Sequence, residues 1–230
     1  ASPEAALRTK SINAFVDEML RCQQLGIRDL VMHPGAHMRE GVAAGIDRLV
    51  ESFRSIFSQA LRGVRVLLEN TAGQGSCLGA RFEELAEVME RLPAADFAIC
   101  FDTCHAFAAG YDLSSDEGYM ATMAEFDRLI GCERLALFHL NDSKKPLAAR
   151  VDRHEHPGKG ELGRDGFQAL MQDSRFTAIA KIIEQDMADV KALNVQKTPG
   201  YFVNGKPLQT FGYRQLQHLI QTELDAKYPN

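Results

Sequence analysis

Several features are missing from this sequence, and each absence narrows what the chain can be. No apolar run approaches the roughly 18 residues that span a bilayer, so no membrane helix is expected. No CxxC pair occurs among Cys22, Cys77, Cys100, Cys104 and Cys132. An odd number of cysteines without such a pair suits a reducing compartment and argues against a disulfide framework. Cys100 and Cys104 form a CxxxC, which alone is weak ground for a metal or redox site. No basic segment leading into an apolar one follows Ala1, so secretion finds no support and a cytoplasmic location is expected. Positive charge is not in excess either: the net charge of -5 argues, taken alone, weakly against nucleic-acid binding. What is present is ordinary globular material. With 230 residues, 45% hydrophobic and 25% charged, the chain is neither disordered nor collagen-like, and it has room for one large domain or two small ones.

Five apolar runs read as buried parallel strands: 30–32, 64–68, 97–101, 135–138 and 180–183. Strands covered on both faces show such continuous runs rather than alternation. Helical spacing fills the segments 43–61, 81–92 and 119–130. Ahead of the first strand, Ser2-Pro3-Glu4 predicts a cap, a first-turn proline and a helix start, and Gly26 predicts its stop. Strand and helix alternate, so the expected fold is α/β with a parallel sheet.

A polar residue able to bind metal follows each expected strand: His33, Glu69, Asp102, His139 and Glu184. They stand 36, 33, 37 and 45 residues apart, about the length of successive βα units. In a TIM barrel the C-terminal ends of the strands meet on one face, so these five side chains are aimed at one place. One such residue alone is usually a loop or cap residue. Five in phase point to a metal site. His105 lies three residues after Asp102, and Asp152 and His154 form a pair inside a charged loop. Four carboxylates and four imidazoles suit zinc, manganese or iron, and without cations the carboxylates would repel one another. His37 and His156 read as neighbours of the site or as solvated residues, and His218 as a surface residue of a helical tail.

Residues 1–184 resemble the endonuclease IV family of zinc-dependent apurinic/apyrimidinic endonucleases. The resemblance is carried by Phe15-Val-Asp-Glu-Met-Leu, His33-Pro-Gly-Ala-His37, Glu69-Asn-Thr-Ala-Gly-Gln-Gly75, Asp102-Thr-Cys-His, His139-Leu-Asn-Asp-Ser-Lys144 and Val151-Asp-Arg-His154. It implies a partial TIM barrel of about five parallel strands and up to three Zn2+ ions. Glu69 would bridge two of them, with His33 on the first. Asp102, His139 and Glu184 would complete the second, and His105, Asp152 and His154 would hold the third. It implies hydrolysis of the phosphodiester on the 5′ side of an abasic site in double-stranded DNA, with Glu69 in the catalytic position. The family begins with further βα units that supply another first-site ligand, so weakened activity and a third site more intact than the first are expected.

Residues 185–230 resemble instead the C-terminal part of a DsbA-like thioredoxin fold. Thr198-Pro199 precedes an expected strand at 201–203, a turn at Asn204-Gly205 and a final helix at 215–226. The chain therefore reads as chimeric, with domains 1–184 and 185–230. The tail carries almost no net charge, so the acidity lies in the first part, where four of the carboxylates are expected metal ligands. DNA binding is compatible with that balance. Two other readings compete. The quartet Glu69, Asp102, His139 and Glu184 resembles the metal site of divalent-metal sugar isomerases and epimerases of the same barrel superfamily, but the third trio has no obvious task there. A non-catalytic thioredoxin-like interaction module is the other, and the missing CxxC counts against it.

Overall fold

The computed structural model describes residues 1–59 and 63–177, together with 202–203, 206–207, 218 and 222. It has two compact units, Ala1–Ile179 and Ala180–Asn230. The first unit opens with helix α1 (Ala5–Leu25), strand β1 (Asp29–Met32), α2 (Val42–Phe57) and β2 (Arg65–Glu69). It continues through α3 (Phe82–Glu90), β3 (Phe97–Asp102), α4 (Thr103–Ala109), α5 (Asp116–Leu129) and β4 (Leu135–His139). A short ribbon, β5 (Asp142–Ser143) with β6 (His154–Glu155), and α6 (Gly163–Gln172) follow.

Strands β1 to β4 form one parallel sheet in sequence order. All six residues of β3 are buried, as a strand covered on both faces must be. Leu67, Ala98 and Cys100 pack together on one face, with Val31, Ala136 and Leu137 against them. Phenylalanines hold the helical side. Phe101 meets Phe126 and Phe138 edge-on, each at 5.6 Å between ring centres, and Phe82 stacks on Tyr111 at 3.9 Å. Four of the five expected strands are therefore present in a partial α/β barrel. The fifth run, 180–183, and Glu184 lie outside the described residues.

Two helix starts differ from the sequence reading. Helix α1 begins at Ala5, because the Ser2 hydroxyl accepts the Glu4 N–H at 3.2 Å and makes a local turn before the helix. Helix α5 begins at Asp116 rather than 119, because the Ser115 side chain caps it through the Gly118 N–H. The Gly26 stop is as expected: φ is 71°, and the Gly26 and Ile27 N–H groups close onto Gln23 and Cys22.

In the second unit, β7 (Phe202–Val203) pairs antiparallel with β8 (Lys206–Pro207). The expected turn at Asn204-Gly205 lies outside the described residues. His218 and Thr222 are helical; the remainder of the expected helix, and Thr198-Pro199, lie outside the described residues. Among the described residues no helix is long and apolar enough to cross a membrane.

Candidate metal centre

A parallel sheet delivers all its strand ends to one edge, and this one delivers imidazoles and carboxylates. Glu69, Asp102 and His139 are the last residues of β2, β3 and β4, and His33 is the first residue beyond β1. The sequence reading places all of them just after their strands. Three are instead still in the ladder, with Glu69 opposite Cys100 and Asp102 opposite His139. Asp102 also caps α4, its Oδ1 accepting the His105 N–H at 2.9 Å, and this sets the His105 ring over the same edge.

Asp152 and His154 arrive by a longer route. The β5–β6 ribbon folds the charged loop back, so His154 sits in an antiparallel pair opposite Ser143 rather than in open loop. Asp142 ties this turn down by accepting N–H groups from Ser143, Gly160 and Leu162 at 2.7 to 2.9 Å. The Asp152 N–H donates to Gln74 Oε1 at 3.0 Å.

The side chains then converge. Glu69 Oε1 lies 2.9 Å from His139 Nδ1 and 3.5 Å from His105 Nδ1, and its Oε2 lies 3.1 Å from His33 Nε2. His105 Nε2 is 3.2 Å from Asp152 Oδ2 and 3.3 Å from His154 Nε2. His154 Nε2 is 3.1 Å from Asp152 Oδ1. Asp102 Oδ2 stands 3.9 Å from His154 and 4.0 Å from His139. Glu69, Asp102 and His105 form a buried floor. His33, His139, His154 and Asp152 form a rim whose side chains are roughly 40 to 50% exposed.

The electrostatics follow from this packing. Burial opposes ionisation of Glu69, yet hydrogen bonds from His105, His139 and His33 hold its carboxyl far below the usual range. Burial also works against a charged His105, but Glu69, Asp102 and Asp152 outweigh it and raise the ring to about 9. The bond to Glu69 raises His139. Burial pushes the Asp102 carboxyl up.

The donor geometry admits a second proton or a metal ion at His105. His105 Nδ1 faces the Asn70 carbonyl at 2.9 Å, an acceptor only, so that nitrogen carries a proton. In the neutral ring Nε2 is then a bare lone pair aimed at a carboxylate and a second imidazole. A second proton or a metal ion resolves that contact, and a ring fixed from behind by a carbonyl is the usual support of a metal-ligating histidine. His105, Asp152 and His154 have ligand atoms within 4.8 Å of one another, as do His33, Glu69 and His105. Cys100 and Cys104 come equally close to Glu69–His139 and Asp102–His154. Both cysteines are free and buried, and burial raises both thiols, Cys104 to about 11. They are not joined to each other, and the CxxxC spacing gains no redox meaning from them.

Seven of the eight expected ligands therefore share one site, and the eighth, Glu184, lies outside the described residues. His37 accepts the Gly41 N–H at 3.1 Å and shapes its own loop, while His156 and His218 are exposed. Residues without ligand chemistry escape a search for ligands, and three of them matter here. Asn141 Nδ2 donates to Asp102 Oδ2 at 2.6 Å, Asn70 brackets the Asp102 main chain, and Gln74 holds the Asp152 loop. All three lie within one to five residues of a strand end, which is the one signal that marks them.

Comparisons with known proteins agree with the fold. Residues 1–200 match the family described as xylose isomerase-like TIM barrel. The chain is 53% identical over 192 residues to the probable endonuclease 4 of Geobacter sulfurreducens, covering 82% of this chain and 64% of that protein. It is 50% identical over 197 residues to the probable endonuclease 4 of Trichlorobacter lovleyi, covering 84% and 70%. The crystal structure of endonuclease IV from Thermus thermophilus superposes with a TM-score of 0.67 at 35% identity, covering 76% of this chain and 61% of that one. A D-tagatose 3-epimerase-like protein shares the fold at 19% identity and a TM-score of 0.58, covering 84% of this chain and 74% of that one. The chain thus spans under two thirds of the Geobacter relative and of the Thermus structure. Its sequence, its parallel sheet and its edge of histidines and carboxylates place it in the xylose isomerase-like TIM-barrel family, within the endonuclease 4 branch.

Proposed function

We propose that this chain is a zinc-dependent phosphodiester hydrolase that cuts double-stranded DNA on the 5′ side of an abasic site. The observation that carries the reading is the trio His105, Asp152 and His154, set against a second group centred on Glu69. A sugar isomerase or epimerase needs the Glu69, Asp102, His139 and Glu184 quartet but has no task for that trio, and the likeness to an epimerase extends to the fold alone.

In this reading His33 and Glu69 hold the first zinc position. Glu69, Asp102 and His139 would hold the second, and His105, Asp152 and His154 the third; Glu184, which the sequence offers for the second, lies outside the described residues. Zinc bound there supplies Lewis acidity toward a phosphate and lowers the pKa of water. The chain's own part is to keep Glu69 anionic between three imidazoles and to present the half-exposed rim of His33, His139 and His154 to the substrate. Loop residues Lys144, Lys145, Arg150, Arg153 and Lys159 beside the rim suit the sugar–phosphate backbone. The site of action is the cytoplasm. The segment from about residue 185 is read as a thioredoxin-like fragment: its hairpin is on the side of that reading, the family match running on to residue 200 is against the boundary, and the missing CxxC leaves it without disulfide chemistry.

The test is metal content per chain, with cleavage of a duplex carrying one abasic site measured on the same sample. Zinc-bound protein should cut that duplex and spare undamaged DNA, and Glu69→Gln should abolish cutting. Cleavage that survives both Glu69→Gln and chelation would sink the assignment.

A further inference from the structure

Asp102 has two tasks at once: its carboxylate serves the metal centre while its main chain sits at the end of a sheet. The last paired residues of β2 and β3 are Glu69 and Cys100, so the Asp102 N–H and C=O lie beyond that ladder on the β2 side. A continuing strand would meet them with a peptide unit. Here the Asn70 carboxamide takes that place. The Asp102 N–H donates to Asn70 Oδ1 at 2.7 Å, and Asn70 Nδ2 donates to the Asp102 carbonyl at 3.0 Å. The partners fix which way the amide points, because an N–H only donates and a C=O only accepts. Asn70 is 1% exposed, and its own carbonyl holds His105 Nδ1 at 2.9 Å. The Asn141 side chain, in contrast, donates to the Asp102 carboxylate, while its main chain meets the Thr103 hydroxyl.

We propose that Asn70 is a positioning residue that couples the second and third metal positions. Its carboxamide replaces a peptide unit to lock Asp102, and its main-chain carbonyl fixes the His105 ring. This rests on the metal-centre reading above and deepens it. Freed from the clamp, the Asp102 peptide tilts and carries its carboxylate off the second position. The Asp102 cap on α4 shifts with it, and so does His105 at the third.

The test uses zinc affinity rather than cleavage. Zinc is titrated into the full chain in competition with a chromophoric chelator, and the visible absorption of the Co2+-loaded chain reports ligand geometry. Asn70→Ala should weaken the second and third positions together by about 10- to 100-fold and change the Co2+ spectrum. Val88→Ala, a truncation of a buried residue in α3, should lower stability while leaving both readouts unchanged. Asn70→Asp keeps the shape and the acceptor but sets an oxygen against the Asp102 carbonyl. Its added negative charge by itself would tighten zinc, so weaker binding identifies positioning, and this variant carries the test if Asn70→Ala does not fold. Unchanged affinity and spectrum in the variants, or a loss confined to one position, overturns the proposal. An unaltered chain that binds no zinc would instead remove the metal centre itself, and the two failures are distinguishable.

Discussion

His105 shows how single residues set the chemistry of this site. Burial alone would keep its ring neutral, yet three carboxylates raise it from 6.5 to about 9. A raised histidine stabilises the folded chain fully below its unfolded pKa, and that stabilisation is lost as pH rises through the folded one. The metal-free chain should therefore lose thermal stability between about pH 6.5 and about 9. A metal ion takes the place of the Nε2 proton, so zinc-loaded protein should show no such loss. Melting curves across that window, with chelator and with zinc, check both statements. A metal-free chain whose melting temperature stays level would show that His105 is not held protonated by its neighbours.

Among the elements, the loop after β2 matters as much as the strands. It is tied to the loop after β1, with the Leu78 N–H on the Gly35 carbonyl and the His37 N–H on the Ser76 carbonyl. Gly79 makes that approach feasible: its φ is 85°, and a Cβ there would stand 2.9 Å from the Pro34 side chain. Gly79→Ala should cost on the order of 1–3 kcal/mol and loosen His33. Urea denaturation measures the first effect and zinc titration the second, and a neutral substitution would mean the two loops are not packed as described. The four described strands, and the imidazoles and carboxylates gathered at their ends, were legible in the sequence because apolar runs and strand-end residues repeat with the βα unit. Helix α4, with seven residues, is too short to show a period, and β5 and β6 have only two residues each. That ribbon depends on Asp142, which ligand chemistry alone would enrol as one more metal donor. Its oxygens are instead committed to three main-chain N–H groups, a fact that only the three-dimensional neighbourhood reveals.

At the scale of the molecule, a net charge of -5 sits beside a basic loop at the rim. If the proposed function holds, association with DNA depends on local phosphate contacts against an overall repulsion, and affinity should fall steeply with salt. Replacing Lys144 and Lys145 together by alanine should make the slope of log affinity against log salt shallower by about 2, one unit per lost phosphate contact. Fluorescence anisotropy with a labelled abasic duplex at several salt concentrations gives that slope. A slope unchanged by the double substitution would place the DNA elsewhere.

The register of the sheet bears, finally, on the order of events in time. Glu69 lies opposite Cys100 and Asp102 opposite His139, partners brought together across whole βα units. Such distant pairings form late, after the cost of closing long loops has been met. An ion meeting the unfolded chain finds its ligands scattered, and a complete cage exists only once the strands are aligned. Zinc should then slow unfolding while leaving the refolding rate unchanged, because its contacts are absent from the transition state. Stopped-flow unfolding and refolding with and without zinc would resolve the two limbs, and faster refolding with zinc would mean that the ion helps assemble the sheet.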